Sequence, residues 1–482
     1  MNYRLVGRVI GFILLIEAAL MLLPVAVSLI YAESVGKYFL LSIGVNVALG
    51  LPLAFLKVKN QNMYAREGFV IVAISWIAVS LMGCLPFWLS GEIPHFVDAF
   101  FETVSGFTTT GASVLSNVEA LSKCMLFWRS FTHWVGGMGI LVFMLAIVPA
   151  TGGSLVHILR AESTGPSVEK MTPKLSATAK HLYLIYIALT AVMFVLLKCD
   201  PTMPAFDALV NSFGTAGTGG FAIRNTSIAG YSAYSQIVIT VFMIVFGVNF
   251  NIYFLVVLGK LRQAYKNEEL RTYLGIVLAS IVLIVANLMH SGVFRSLSEC
   301  IRHAAFQVAS IISTTGFSTV DFNRWPEFSK VILFLLMFIG SCAGSTAGGI
   351  KVSRILITVK AIKNDIYSVI HPRSVKSIRL NGKALSPDIV SHTLRFTALY
   401  VVIYVVSFLL VSLDNFDFTT SATAVAATLN NIGPGLGAAG PAGNFGGFSV
   451  LSKLIMIADM LIGRLEVMPM MILFYAGTWK KK

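Results

Sequence analysis

Four short stretches of the 482-residue chain carry residue types suited to holding a dehydrated cation. They are 98–112 (DAFFETVSGFTTTGA), 207–221 (DALVNSFGTAGTGGF), 303–317 (HAAFQVASIISTTGF) and 420–434 (TSATAVAATLNNIGP). Aligned without gaps on Gly111, Gly220, Gly316 and Gly433, the preceding position reads Thr110, Gly219, Thr315 and Ile432. The position before that reads Thr109, Thr218, Thr314 and Asn431. Thirteen residues before each glycine stand Asp98, Asp207, His303 and Thr420, each followed by a small residue. The glycines are 109, 96 and 117 residues apart, which reads as an internal fourfold repeat. Glycine permits backbone angles that other residues resist, so carbonyl oxygens can turn toward one axis. Such oxygens at close quarters replace a cation's hydration shell. Threonine hydroxyls add further oxygens, and a short helix ending there aims its negative dipole end at the same place. The bland alternative is four loops with chance glycines; four matches in phase, each between apolar runs, argue against it. A TVGYG string is absent, and the glycines alone do not separate K⁺ from Na⁺.

A second constellation lies at 340–349, GSCAGSTAGG, where Gly340, Gly344, Ser345, Thr346, Gly348 and Gly349 interrupt an apolar run. An unbroken helix there is penalised by about 1 kcal/mol per glycine. A broken helix at mid-membrane lines a cavity; close helix packing through small residues is the other reading. Arg464 sits deep in the last apolar run and must face protein or water. It is either an electrostatic barrier to cations or a structural partner of Glu466 or Asp459. Arg129, His133 and Trp134 share another run, where packing competes with a proton-sensitive role for His133. Glu17 is an intramembrane acid with no assigned role. The chain holds no HExxH, no GxSxG with partners and no Walker A motif, so enzymatic chemistry is not expected. Its five cysteines are far apart and form no CxxC, which leaves disulfides and thiolate metal sites unsupported.

The elements that must position these residues follow from composition. Hydrophobic residues make up 56% and charged residues 12%, against roughly 25% charge in soluble chains. Apolar runs recur near 9–31, 38–56, 69–90, 124–149, 181–198, 234–259, 273–289, 329–362, 393–413 and 449–478. Each approaches the ~20 residues of a spanning helix. The first is too long for a signal-peptide core. The predicted fold class is an all-α polytopic membrane protein: about ten transmembrane helices plus four re-entrant pore helices. These form four pseudo-symmetric helix–pore helix–helix repeats around one pore. Domain boundaries are expected at 1–67 for two extra N-terminal helices, then 68–155, 175–265, 270–365 and 390–482 for the repeats.

Alternate connections hold 25 of the 36 Lys and Arg, among them Arg4, Arg8, Lys57, Lys59, Arg160, Lys170, Lys174, Lys351 and Arg354. The positive-inside rule puts these connections and both termini in the cytoplasm. The net charge of +14 is thus topogenic rather than a nucleic-acid patch. The opposite side collects 12 of the 22 acids, Glu102, Asp200 and Asp207 included. They either concentrate cations at a pore mouth or belong to solvated loops.

The sequence resembles the Trk/Ktr/HKT superfamily of potassium transporters over essentially its whole length. The resemblance rests on DAFFETVSGFTTTGAS at 98–113, WRSFTHWVGGMGI at 128–140, ESTGPSVEKMTP at 162–173, GSCAGSTAGGIK at 340–351 and GRLE at 463–466. The two helices before the first repeat are similar to the TrkH/TrkG branch. The resemblance implies a single-chain K⁺ pore in a bacterial inner membrane. Its filter is Thr109, Thr110, Gly111, Thr218, Gly219, Gly220, Thr314, Thr315, Gly316, Asn431, Ile432 and Gly433. K⁺ is implied because Gly111 stands where the Na⁺-favouring variant has serine. Filter shells of unequal chemistry are expected, because Asn431-Ile432 and Gly219 depart from the threonine pattern. The resemblance also implies an intramembrane loop at 340–349 that obstructs conduction beside Arg464. It further implies a homodimer surrounded by membrane lipid, and a separate cytosolic nucleotide-binding regulatory subunit of the TrkA type; the basic segment 351–392 is a plausible docking surface. A gated, channel-like path and a symporter coupling K⁺ to Na⁺ or H⁺ both remain compatible with these residues.

Overall fold

The computed structural model describes residues 1–58, 64–139, 175–374 and 376–480, without the side chains of 175–179. Lys59, Arg160, Lys170, Lys174, Lys481, Lys482, the 162–173 motif and the part of the 124–149 run beyond residue 139 lie outside the described residues. So does the expected end of the first repeat at 155.

The chain is an all-α polytopic membrane protein. Among the described residues six helices are long and apolar enough to cross a bilayer: Tyr3–Ile30, Gly36–Ala54, Ala65–Ser90, Lys180–Lys198, Glu268–His290 and Pro387–Asp414. Pro387–Asp414 has a mean hydropathy of 2.4, yet only 22% of its apolar window is buried in protein. Val401, Val402, Val405 and Leu409 point outward, as on a helix that faces lipid.

The first two helices pack on each other beside the rest. Four repeats follow, each with an outer helix, a short pore helix and an inner helix. The pore helices are Phe96–Phe107, Ala205–Ala216, Leu297–Ile312 and Phe418–Leu429. The inner helices begin with Lys123–Gly137, Ala233–Phe246, Glu327–Ile339 and Val450–Arg464. Each pore helix lies between the inner helix of its own repeat and that of the preceding repeat, and the first closes onto the inner helix of the fourth. The packing is therefore a closed ring of four.

The inner runs are not the continuous spans that hydropathy predicts. Ala233–Phe246 and Phe250–Val257 meet at 92°. Glu327–Ile339 is followed by the loop 340–351 and then the helix Val352–Ile370. The helix Val450–Arg464 stops before Met468–Phe474, with Glu466 and Val467 at positive φ. Periodicity registers apolar length but not the glycines and close contacts that end a helix. Two groups of charges counted among the connections are enclosed by protein, whichever side of the membrane they face. Lys351 and Arg354, counted as cytoplasmic cations, are buried. Glu102, Asp200 and Asp207, counted on the outer acidic side, are buried too.

Candidate functional site

Each pore helix ends the same way. The N–H groups of Thr110, Gly219, Thr315 and Ile432 return to the carbonyls of Ser105, Gly214, Ser310 and Ala427, all at 2.8 Å. This 6→1 bond is the Schellman cap, which requires a left-handed residue just after the helix. The residues there are Thr109, Thr218, Thr314 and Asn431, at φ of +56°, +54°, +56° and +55°. Asn is an ordinary choice for that conformation. Threonine is β-branched and strained there, and such strain persists only where surroundings over-determine it. Two residues later Gly111, Gly220, Gly316 and Gly433 are again at positive φ, from +75° to +103°. The fourfold alignment read from the sequence is thus a fourfold repetition of backbone conformation.

The four segments touch in order. A Cβ added to Gly111 would overlap the Gly219 carbonyl oxygen, and one on Gly220 the Thr315 carbonyl oxygen. One on Gly316 would overlap the Ile432 carbonyl oxygen, and one on Gly433 would lie 2.9 Å from the Thr110 carbonyl oxygen. The cycle closes: segment one meets two, two meets three, three meets four, and four meets one. A cavity of about 190 Å³ touches all four glycines. Close-set peptide oxygens around one opening are what a dehydrated cation requires.

The hydroxyls behave differently from the simplest expectation. Thr110 pairs with Thr108 at 2.8 Å, and Thr315 with Ser313 at 2.7 Å. The Thr218 hydroxyl donates to the Gly217 carbonyl at 2.6 Å. Thr314 accepts from the N–H of Gly348 at 2.7 Å. Thr109 alone among these five threonines has a buried hydroxyl without a protein partner. Side-chain amides replace threonine chemistry in the fourth segment, where Asn431 Nδ2 donates to the Thr110 hydroxyl and the Met460 carbonyl, both at 2.9 Å.

Buried polar groups brace the ring. Glu102, on the first pore helix, accepts from Arg129 at 2.6 Å and from the Ser113 hydroxyl and the Val114 N–H at 2.9 Å each. Arg129 also donates to the Ala222 carbonyl at 2.8 Å and lies 3.6 Å from the Phe221 ring centroid. His133 Nε2 accepts from the Phe221 N–H at 3.2 Å, so its hydrogen sits on Nδ1, 2.7 Å from the Gly106 carbonyl. The imidazole cross-links the first pore helix to the chain just after Gly220. Trp134 packs on Tyr186 and Phe131 inside the protein rather than at an interface.

Against the ring the loop 340–351 touches the second, third and fourth repeats through a few atoms. Its Gly348 N–H meets Thr314, and a Cβ on Gly348 would overlap the Asn430 carbonyl oxygen. The Ser341 hydroxyl donates to the Ile312 carbonyl at 2.8 Å, and the Phe250 N–H donates to the Gly344 carbonyl at 3.0 Å. Ser345, between them, bonds back to the Cys342 carbonyl at 2.7 Å. Gly340 and Gly349 fold the two ends together, with a Cβ on Gly349 only 3.0 Å from Gly340 Cα. Arg464 donates to the Thr346 carbonyl at 2.7 Å and to the Gly136 and Gly137 carbonyls at 2.5 and 2.7 Å. One guanidinium therefore joins the fourth repeat to the loop and to the first repeat. Glu466 pairs with Arg354 at 2.5 Å, and Asp459 accepts from Ser407 at 2.7 Å.

Two residues that brace the loop escaped sequence reasoning. Lys351 Nζ turns back to the carbonyls of Ala347 and Gly348, the latter at 3.0 Å. Glu269 accepts from the N–H groups of Ala343 at 2.7 Å and Ser353 at 3.1 Å. Lys351 ends the small-residue motif, and that adjacency was the available signal; charge counting assigned it to the cytoplasm instead. Nothing local marks Glu269, which stands at a helix start where acids are common.

Comparison with known proteins supplies an independent frame. The family described as "TrkH: Cation transport protein" matches residues 36–480. The chain is 37% identical to the Trk system potassium uptake protein TrkH of Salmonella typhimurium over 487 residues, covering 100% of both. It is 32% identical to the Trk system potassium uptake protein TrkG of Escherichia coli strain K12, covering 99% of both. The crystal structure of the potassium transporter TrkH from Vibrio parahaemolyticus superposes with a TM-score of 0.89 at 34% identity, covering 100% of each chain.

Proposed function

The chain belongs to the TrkH family of cation transport proteins, and from that premise we propose how this potassium uptake transporter of the Trk family works. K⁺ passes through the ring formed by 109–111, 218–220, 314–316 and 431–433, held by backbone oxygens rather than by side-chain charge. The observation that carries this reading is the closed cycle of contacts among Gly111, Gly220, Gly316 and Gly433 around one cavity. Expected domain boundaries at 68–155, 175–265, 270–365 and 390–482 give each repeat one quarter of that ring. Residues 1–67 lie outside it.

The loop 340–351 is the gate. It lies below the ring, bonded to Thr314, and Arg464 holds it against the first repeat. A buried guanidinium beside the path also repels cations electrostatically. Opening therefore requires the loop and Arg464 to move together. A cytosolic nucleotide-binding subunit of the TrkA type docks on the basic segment 351–392 and works the gate through the helix Val352–Ile370, which continues from the loop. The functional unit is a homodimer in the bacterial inner membrane, with both termini cytoplasmic.

Recording from the purified chain in planar bilayers, with its cytosolic partner added, tests the pathway. Unitary currents reversing at the K⁺ equilibrium potential are expected. A fixed reversal ratio linking K⁺ to Na⁺ or H⁺, without unitary events, would overturn the conductive reading in favour of symport.

A further inference from the structure

A second cavity, of about 540 Å³, lies at the far end of the helix that follows the gate loop. It is lined by Lys360, Lys363, Asn364 and Tyr367 of that helix and by Lys376, Ser377, Ile378 and Arg379 of the segment after it. Four cations converge there with one carboxylate at the rim, Glu268, which pairs with Lys360. Asp365 is on the same helix but does not line the cavity. The walls are fastened: Lys360 also donates to the Arg379 carbonyl at 2.8 Å, Lys376 lies 4.7 Å from the Tyr367 ring centroid, and the Asn381 side chain accepts from the Glu268 N–H at 2.7 Å. Asn381 and Gly382 form the turn of a hairpin that pairs Arg379 with Ala384 and Leu380 with Lys383.

The face of the helix beside the cavity is apolar and exposed. Val359, Ile362, Ile366, Val369 and Ile370 are each more than half exposed. Their spacing of three and four puts them on one stripe, flanking the side that carries Lys360, Lys363 and Tyr367. A cationic, hydroxyl-rich cavity calls for phosphate oxygens, and an adjoining stripe of aliphatic side chains calls for hydrocarbon.

The geometry points to a binding site for an anionic phospholipid, its phosphate headgroup in the cavity among Lys363, Lys376 and Arg379 and its acyl chains along Val359, Ile362 and Ile366. A soluble phosphate compound would satisfy the cavity but leave the stripe uncovered. The site is separate from the ion path, sits on the helix continuous with the gate loop and takes up only part of the segment 351–392, leaving residues 380–392 to the cytosolic subunit.

Native mass spectrometry of the full chain in a neutral detergent tests it. The probes are dioctanoyl phosphatidylglycerol, dioctanoyl phosphatidylcholine with the same tails, and glycerophosphate with none. The phosphatidylglycerol adduct is expected at lower concentration than either of the others. Lys363→Ala combined with Lys376→Ala is expected to weaken it on the order of tenfold, while Lys363→Arg with Lys376→Arg retains it. Lys360 is left intact because it fastens the hairpin. If the double alanine chain does not fold, the single change Lys363→Glu at an exposed position gives the same reading. Equal binding of the two lipids, or an adduct unchanged by Lys363→Glu, overturns the site. Glycerophosphate binding as tightly as phosphatidylglycerol overturns the lipid and leaves a soluble anion in its place.

Discussion

At the scale of single residues, the ring proposed as the filter rests on the absence of a methyl group. Gly220 combines φ of +75° with a neighbour's carbonyl where Cβ would stand. Gly220→Ala must both strain the backbone, by roughly 1–2 kcal/mol, and push the third segment away. Rubidium-tracer uptake by cells relying on this chain should fall about tenfold or more, as overpacking of 1–3 kcal/mol implies. Gly275→Ala is the control: it lies in the helix Glu268–His290 with nothing within 4 Å of the added carbon, and uptake should persist. Equal uptake by the two variants, at equal expression, would remove the ring from the ion path. The four glycines the sequence aligns share one backbone conformation, and they are legible because glycine is the residue whose conformational reason is local. It did not reveal that Thr110, Thr218, Thr314 and Thr315 spend their hydroxyls inside the protein, because a hydroxyl's partner is set by contacts distant in the chain.

At the scale of elements, the pore helices are fixed at both ends by different chemistry. Their C-termini share the Schellman turn; their N-termini do not match. The fourth begins at Asp417, whose carboxylate accepts from the Thr420 N–H at 3.0 Å and from the Thr420 hydroxyl. Those bonds hold its pKa below the ordinary 3.8. A folded-state value below the unfolded one stabilises the protein above about pH 4, and that stabilisation fades as pH falls through the lowered value. Asp417→Asn keeps a capping side chain without the charge. Above pH 4 the wild type should be more stable by about 0.3–1 kcal/mol, near the low end because the carboxylate is exposed to solvent. Melting temperatures of the two proteins should converge as pH falls through that lowered value. A constant difference from pH 7 to pH 3 would show that the charge is not what the cap contributes. The inner helices carry the complementary lesson: hydropathy finds each run, but the 92° bend after Phe246 and the stop at Arg464 lie beside Gly247 and Gly463, where a Cβ would overlap Tyr273 and the Leu429 carbonyl oxygen.

At the scale of the molecule, Arg464 is the tie between repeats that are far apart in the chain. Its guanidinium meets carbonyls of residues 118 and more than 320 positions away. Arg464→Ala unfastens the loop from the first repeat and removes a positive charge beside the path, so rubidium uptake should rise several-fold, as the loss of a gate bond worth ~1.5–3 kcal/mol allows. Uptake unchanged at equal expression would refute the barrier. Glu102 and Arg129 act at the same scale, joining the first pore helix to the chain just after Gly111 and Gly220.

The chain's own order of residues determined the membrane solvent, the fourfold repeat, the four aligned glycines, the small-residue break and the buried arginine. These follow from composition, period and local backbone preference, all of which are written along one dimension. The closure of the ring, the inward turn of Lys351, the bracing by Glu269 and the joining of three repeats by Arg464 were decided only by the tertiary structure. Each depends on which distant carbonyl or carboxylate lies opposite, and burial of a charge is possible only once that partner has been brought there.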